Sequence, residues 1–123
     1  MYNISKKFSF SASHVLMGLV GTHPCSRLHG HNYTVKVTLE SDKLNSHGFV
    51  VDYRDLDQIK QFIDAKLDHR HLNDCLDVNP TAENIAKFIF KQFAKEFPKM
   101  ISVTVSETDK TCAVYTPFCD TEE

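Results

Sequence analysis

The stretch Cys25-Ser26-Arg27-Leu28-His29-Gly30-His31 brings a thiol, a guanidinium and two imidazoles within seven residues. On an extended strand, residues two apart point to the same face. His29 and His31 are so spaced, with Gly30 leaving room between them, and two neutral imidazoles on one face can share a metal ion. A catalytic zinc site needs a third protein ligand and an open position, whereas a closed structural site uses four protein ligands. Cys25 therefore has two readings. It is a fourth ligand that closes the site, or it stands off the metal as a base or nucleophile, its thiolate favoured by the cation and by Arg27.

The third imidazole comes from the phase of another strand. Residues 2–14 alternate, with Tyr2, Ile4, Phe8, Phe10, Ala12 and His14 on one face and Asn3, Ser5, Lys7, Ser9, Ser11 and Ser13 on the other; Lys6 is the exception. Residues 29–40 alternate likewise, with His29, His31, Tyr33, Val35, Val37 and Leu39 sharing a face. Antiparallel pairing of the two segments across the connection Val15–Leu28 brings the end of one to the start of the other. His14, His29 and His31 then converge at one end of a sheet. A lone His-x-His pair would be a pair of satisfied core histidines; the third histidine on the same face tips the balance towards metal.

Two further groups can carry chemistry. Asp68-His69 follows a helix end, and an aspartate orients an imidazole only if the two side chains meet. Spacing alone favours a solvated helix terminus with a favourable cation, and His71 competes for the same role. Glu107 closes the apolar face of a strand, where a buried carboxylate needs partners. A ligand edge with paired N–H donors and a nearby lysine or backbone amide serve that need equally. Cys75, Cys112 and Cys119 read as small buried fillers, and His23 and His47 as surface residues.

The elements around these groups follow from periodicity. Phe49-Val50-Val51 reads as a short strand end. Asp52 caps a helix over roughly 53–67, whose apolar stripe is Leu56, Ile59, Phe62, Ile63 and Leu67. Thr81 caps a second helix with stripe Ile85, Phe88, Ile89, Phe93 and Phe97, stopped by Pro98. Strand 100–107 carries Ile101, Val103, Val105 and Glu107 on one face, and a shorter strand holds Val114 and Tyr115. The expectation is an α+β fold, a four-stranded antiparallel sheet with two helices on one face, in one domain spanning 1–123. Exposed sheet edges point to assembly of several copies.

Composition bounds the partners. The 123 residues are 41% apolar and 24% charged, as expected of a globular domain, and a formal net charge of -2 provides no basic field for nucleic acid. No segment is apolar enough to span a bilayer, and the N-terminal residues lack the apolar run of a signal peptide. Four unevenly spaced cysteines then read as reduced thiols, and the expected location is the cytoplasm.

The order and spacing of five landmarks resemble the 6-pyruvoyl-tetrahydropterin synthase family over nearly the whole chain. They are Phe8-Ser9-Phe10-Ser11-Ala12-Ser13-His14, Cys25–His31, Leu67-Asp68-His69-Arg70-His71-Leu72-Asn73, Asn79-Pro80-Thr81-Ala82-Glu83-Asn84 and Ser106-Glu107-Thr108. The resemblance implies the tunnelling fold, a homo-oligomer (usually a hexamer of two stacked trimers) and active sites between subunits. It implies zinc on His14, His29 and His31, Cys25 as base, and Asp68 with His69 as a second acid/base unit. Glu107 would anchor a pterin. Thr81 and Arg27 are further candidate substrate contacts, Arg27 with Lys6 and Lys7 as cations for a triphosphate.

Three residues separate Cys25 from His29, where the mammalian-type pyruvoyl-forming members have a longer gap and another subgroup carries a Glu near the Cys position. Ser13 replaces an Ala of many relatives, on the polar face. The gap is similar to that of the carboxy-forming branch in queuosine synthesis. That branch takes 7,8-dihydroneopterin triphosphate to 6-carboxytetrahydropterin, acetaldehyde and triphosphate. The alternatives are pyruvoyl formation without carbon–carbon cleavage and, in another class, a non-catalytic zinc-stabilised pterin-binding module.

Overall fold

A computed structural model describes residues 1–20 and 23–118. Its long strands are β1 (Tyr2–His14), β2 (His29–Ser41) and β4 (Met100–Thr108); β3 (Arg70–His71) and β5 (Thr111–Tyr115) are short. The helices are α1 (Asp57–Lys66) and α2 (Ala82–Phe93). The sheet order is β3-β1-β2-β4-β5. β1–β2, β2–β4 and β4–β5 pair antiparallel, as alternation predicts. The sheet has five strands rather than the expected four, because β3 adds a two-residue parallel pairing against Ala12 and Ser13. Two residues are too few to leave a periodic signal, so β3 is invisible in the sequence.

Alternation along β1 and β2 becomes burial. Phe8, Phe10, Ala12 and His14 are buried, as are Tyr33, Val35, Val37 and Leu39. All of these but His14 join Ile59 and Ile63 of α1 and Ile85, Ile89 and Phe93 of α2 in one core cluster. Thr81 caps α2 as expected, its hydroxyl oxygen accepting the Asn84 amide at 3.1 Å. Asp52 also caps, but the turn it starts, Tyr53–Leu56, is a 3-10 turn, and the α-helix begins only at Asp57.

Two other expectations change. Phe49-Val50-Val51 is irregular chain, although Val50 is buried. In β4, pairing passes from Thr38↔Ser102 to Leu39↔Met100, leaving Ile101 as the extra residue of a bulge. Met100 consequently enters the core where alternation placed Ile101.

Candidate metal centre and acid/base pair

β1 and β2 pair over their whole length, ending at His14↔His29, with Ala12 opposite His31. Two imidazoles therefore face each other across the strands, and the third lies two residues further along β2. Their ligand nitrogens all lie within 4.8 Å of one another. The rings are 4.5–5.2 Å apart at their centroids and steeply inclined to one another. Gly30 keeps this end of the sheet tight: a Cβ there would lie 3.2 Å from the Ala12 carbonyl oxygen.

The hydrogen bonds decide which nitrogens are free. His14 Nδ1 donates to the Pro80 carbonyl at 2.7 Å, and His29 Nδ1 donates to the Arg27 carbonyl at 2.7 Å. A carbonyl only accepts, so each Nδ1 carries the proton and each Nε2 presents a lone pair. Those two Nε2 atoms are 2.9 Å apart. Two lone pairs that close repel unless a cation accepts both, so the donor set fits a divalent metal with outer-shell carbonyls orienting its ligands. His14 is fully buried, and burial holds its pKa below the ordinary 6.5, which keeps the ring neutral and able to ligate.

Glu107 completes the open side. Its Oε2 lies 3.0 Å from His31 Nε2 and 3.6 Å from His14 Nε2. Its side chain is 28% exposed, not buried as its strand phase predicts, because it stands near the end of β4 where the core stops. Tyr33 lies beneath. It is fully buried, stacks on Phe10 and sets its hydroxyl 3.2 Å from His14 Nδ1. Burial raises its phenol pKa well above the usual value, so it stays protonated.

Cys25 is half-buried in a 3-10 turn, Pro24–Ser26. Its amide donates to His23 Nδ1 at 3.1 Å, and its carbonyl accepts from the Leu16 amide at 3.0 Å. His23 is thus exposed, as expected, yet it also caps this turn. Arg27 is exposed beside it.

Asp68 and His69 do meet, against the preference that spacing alone gave. Asp68 Oδ2 lies 3.0 Å from His69 Nδ1, and Asp68 Oδ1 accepts the Ser11 amide at 2.9 Å. The Ser11 amide and then the His69 ring hold the Asp68 carboxyl below the usual carboxylate range. His69 adopts a left-handed backbone, φ 59°, which turns its ring back onto its neighbour's carboxylate. Its side chain is 82% exposed. It borders a shallow depression of about 470 Å³ with Ser11, Ser13 and Asn32 of the polar sheet face and with His31 at its edge. His71 goes elsewhere, its Nδ1 3.0 Å from Ser13 Oγ.

The remaining candidates separate. Thr81 spends one hydroxyl lone pair on its helix cap, which ties its side chain to the start of α2. Lys6 is tied to Asp57 at 2.8 Å and to the Tyr53 carbonyl. It lies eight strand residues from His14, about 26 Å at 3.3 Å per residue. It is no cation for this end of its own subunit. Cys75 donates to the Lys66 carbonyl, and burial raises its thiol pKa, as suits a filler. Cys112 is exposed on β5 and is no filler, while Cys119 lies outside the described residues. The described residues contain no helix long and apolar enough to cross a membrane.

Known proteins resemble this chain in sequence and in fold. The family model described as 6-pyruvoyl tetrahydropterin synthase matches residues 3–117. The chain is 38% identical over 122 residues to 6-carboxy-5,6,7,8-tetrahydropterin synthase of Synechocystis, covering 94% of this chain and 93% of that one. The enzyme of the same name from Bacillus subtilis is 32% identical over 129 residues, covering 94% and 86%. Among solved structures, Caenorhabditis elegans 6-pyruvoyl tetrahydropterin synthase superposes with a TM-score of 0.84 at 26% identity, covering 95% and 96%.

Proposed function

The chain belongs to the 6-pyruvoyl tetrahydropterin synthase family, and from that premise we propose that it is a lyase of queuosine synthesis. It takes 7,8-dihydroneopterin triphosphate and one water to 6-carboxy-5,6,7,8-tetrahydropterin, acetaldehyde and triphosphate. The observation that carries the reading is the convergence of His14, His29 and His31, with two Nε2 lone pairs aimed at one point beside Glu107. Relatives that share most of the chain and bear the carboxy-forming name support the choice of product.

His14, His29 and His31 would hold zinc, which would supply Lewis acidity towards the hydroxyls of the substrate side chain. Cys25, as thiolate, removes a side-chain proton. The Asp68–His69 unit carries a second proton, the aspartate fixing the imidazole tautomer and supporting its cation. Glu107 accepts the paired N–H donors of the pterin edge. Arg27 meets the triphosphate.

Because the His69 ring is exposed and borders the polar face, we assign it to the zinc site of a neighbouring copy, in a homo-oligomer assembled through sheet edges. A hexamer of stacked trimers satisfies this. The described cysteines are all free, which suits a reducing cytoplasm.

The test is to incubate the purified protein with 7,8-dihydroneopterin triphosphate, measuring acetaldehyde, pterin product and bound metal together. Acetaldehyde in step with 6-carboxytetrahydropterin is the expected result. A pyruvoyl product without acetaldehyde would place the chain with the pyruvoyl-forming members, and no turnover by the zinc-loaded protein would make it a binding module.

A further inference from the structure

Beyond Ser13, β1 loses its β3 neighbour, yet its backbone stays paired. Asn73 Oδ1 accepts the Val15 amide at 2.9 Å, and Asn73 Nδ2 donates to the Val15 carbonyl at 2.8 Å. Two residues on, Asn79 does the same to Met17, at 2.8 and 2.7 Å. A residue in an antiparallel ladder exchanges both of its backbone bonds with one partner, and a side-chain amide carries the same donor and acceptor. The two asparagines therefore stand in for a missing strand along the edge of 15–17.

The opposite edge of this segment holds the thiol loop. The Leu16 amide, pointing away from the asparagines, donates to the Cys25 carbonyl at 3.0 Å. Continuing the His14↔His29 register by two residues would pair Leu16 with Arg27. Arg27 is turned out of that register: its amide closes the 3-10 turn onto Pro24 and its carbonyl accepts His29 Nδ1. The bond from Leu16 to Cys25 therefore sets the height of that turn above the metal ligands. The clamp is itself braced: the Asn79 carbonyl accepts Asn84 Nδ2 at 2.9 Å from the start of α2.

We propose that Asn73 and Asn79 are positioning residues for the Cys25 thiol, acting through the clamped backbone of 15–17 and the Leu16–Cys25 bond. The thiol's catalytic role rests on the function proposed above; its placement by the clamp does not. Without the amides, Val15 and Met17 lose their side-chain partners on that edge, and the thiol samples positions away from the reacting carbon.

The test uses zinc-loaded Asn73→Asp and Asn79→Asp, which keep the acceptor for the backbone amide and turn the donor into an oxygen facing a carbonyl. The first readout is hydrogen exchange at Val15, Leu16 and Met17, expected to accelerate about tenfold while β4 is unchanged. The second is alkylation of Cys25 by iodoacetamide at a pH high enough to ionise every thiol, so that the rate reports access alone. It is expected to rise about threefold or more, with Cys112 on β5 as the unchanged reference. The third is a kcat reduced about 10- to 100-fold, the range for an outer-shell partner, with KM and zinc content retained.

Unchanged exchange and alkylation in both variants would overturn the proposal. So would zinc lost in step with turnover, since the amides would then act through His14. Should the wild type turn over no pterin, the proposed reaction fails, while exchange and alkylation still decide the clamp.

Discussion

The two titratable groups at this end of the molecule are built in opposite ways. The three imidazoles gather on the core side of the sheet, with His14 fully buried and two of the rings tied by Nδ1 to backbone carbonyls of their own chain. Asp68 and His69 sit on a turn beside the polar face, the imidazole largely in solvent. The first group is complete within one chain. The second is oriented by its own chain, yet its imidazole stands largely in solvent, and under the proposed function that exposure lets it serve a neighbouring copy.

The largest effect tests the self-contained half. His29→Ala is expected to remove bound zinc and turnover together, read by metal analysis and product assay. Cys25→Ala should keep zinc and lower kcat about 10²- to 10⁴-fold; loss of zinc in that variant would make the thiol a ligand.

Asp68→Asn should lower kcat by about 10²-fold without disturbing the fold, since its oxygen still accepts the Ser11 amide. Mixing then breaks or sharpens the comparison. Co-assembled Cys25→Ala and Asp68→Asn chains should regain about a quarter of wild-type turnover if sites are shared between copies, because half the chains keep each group and the halves combine at random. Within single chains every site would carry one defect, so recovery would be nil.

The two regions also titrate in separate windows. His14 has a folded pKa below its unfolded 6.5, so the unfolded state binds more protons as acid is added. Stability of the metal-free protein is therefore present above about pH 6.5 and declines as pH falls below it. Asp68, also lowered, contributes above about pH 3.8 and loses that contribution only below it. Denaturant midpoints against pH should show both steps, the upper one missing in His14→Asn.

The smallest effect on stability is expected at His69. His69→Gly should abolish turnover yet stay within about 1 kcal/mol of wild-type stability, since relief of the left-handed backbone offsets the added chain entropy. A larger loss would show that the imidazole also holds the turn together.

Much of this was legible before the fold was known. Alternation placed His14, His29 and His31 on one face, and the pairing of β1 with β2 did the rest. The cap at Thr81 was readable because its partner Asn84 is three residues away. Glu107 was legible as to face and illegible as to depth: strand phase says which side a residue takes, not where the core ends. Ile101 failed for a related reason, since one bulged residue reverses the phase before it and leaves no mark in composition.

His69 and the asparagines were harder. Nothing in Asp68-His69 announces a left-handed φ, so spacing could not say that the side chains meet. Asn73 and Asn79 stand in the sequence only as members of two of the landmark stretches, with no role assigned to either. Their partners are 58 and 62 residues away, and no periodicity reaches that far.

By itself, then, the sequence determined the long strands β1 and β2, their inward faces, the cap of α2 and the three imidazoles on one of those faces, because each depends on residues within a turn or a pleat of one another. Tertiary structure alone decided which histidine nitrogens are left bare, what the Asp68 carboxylate orients and what holds the loop that carries Cys25. Those outcomes depend on where carbonyls and amides distant in the chain come to rest, and only the packed sheet and helices bring them within hydrogen-bonding reach.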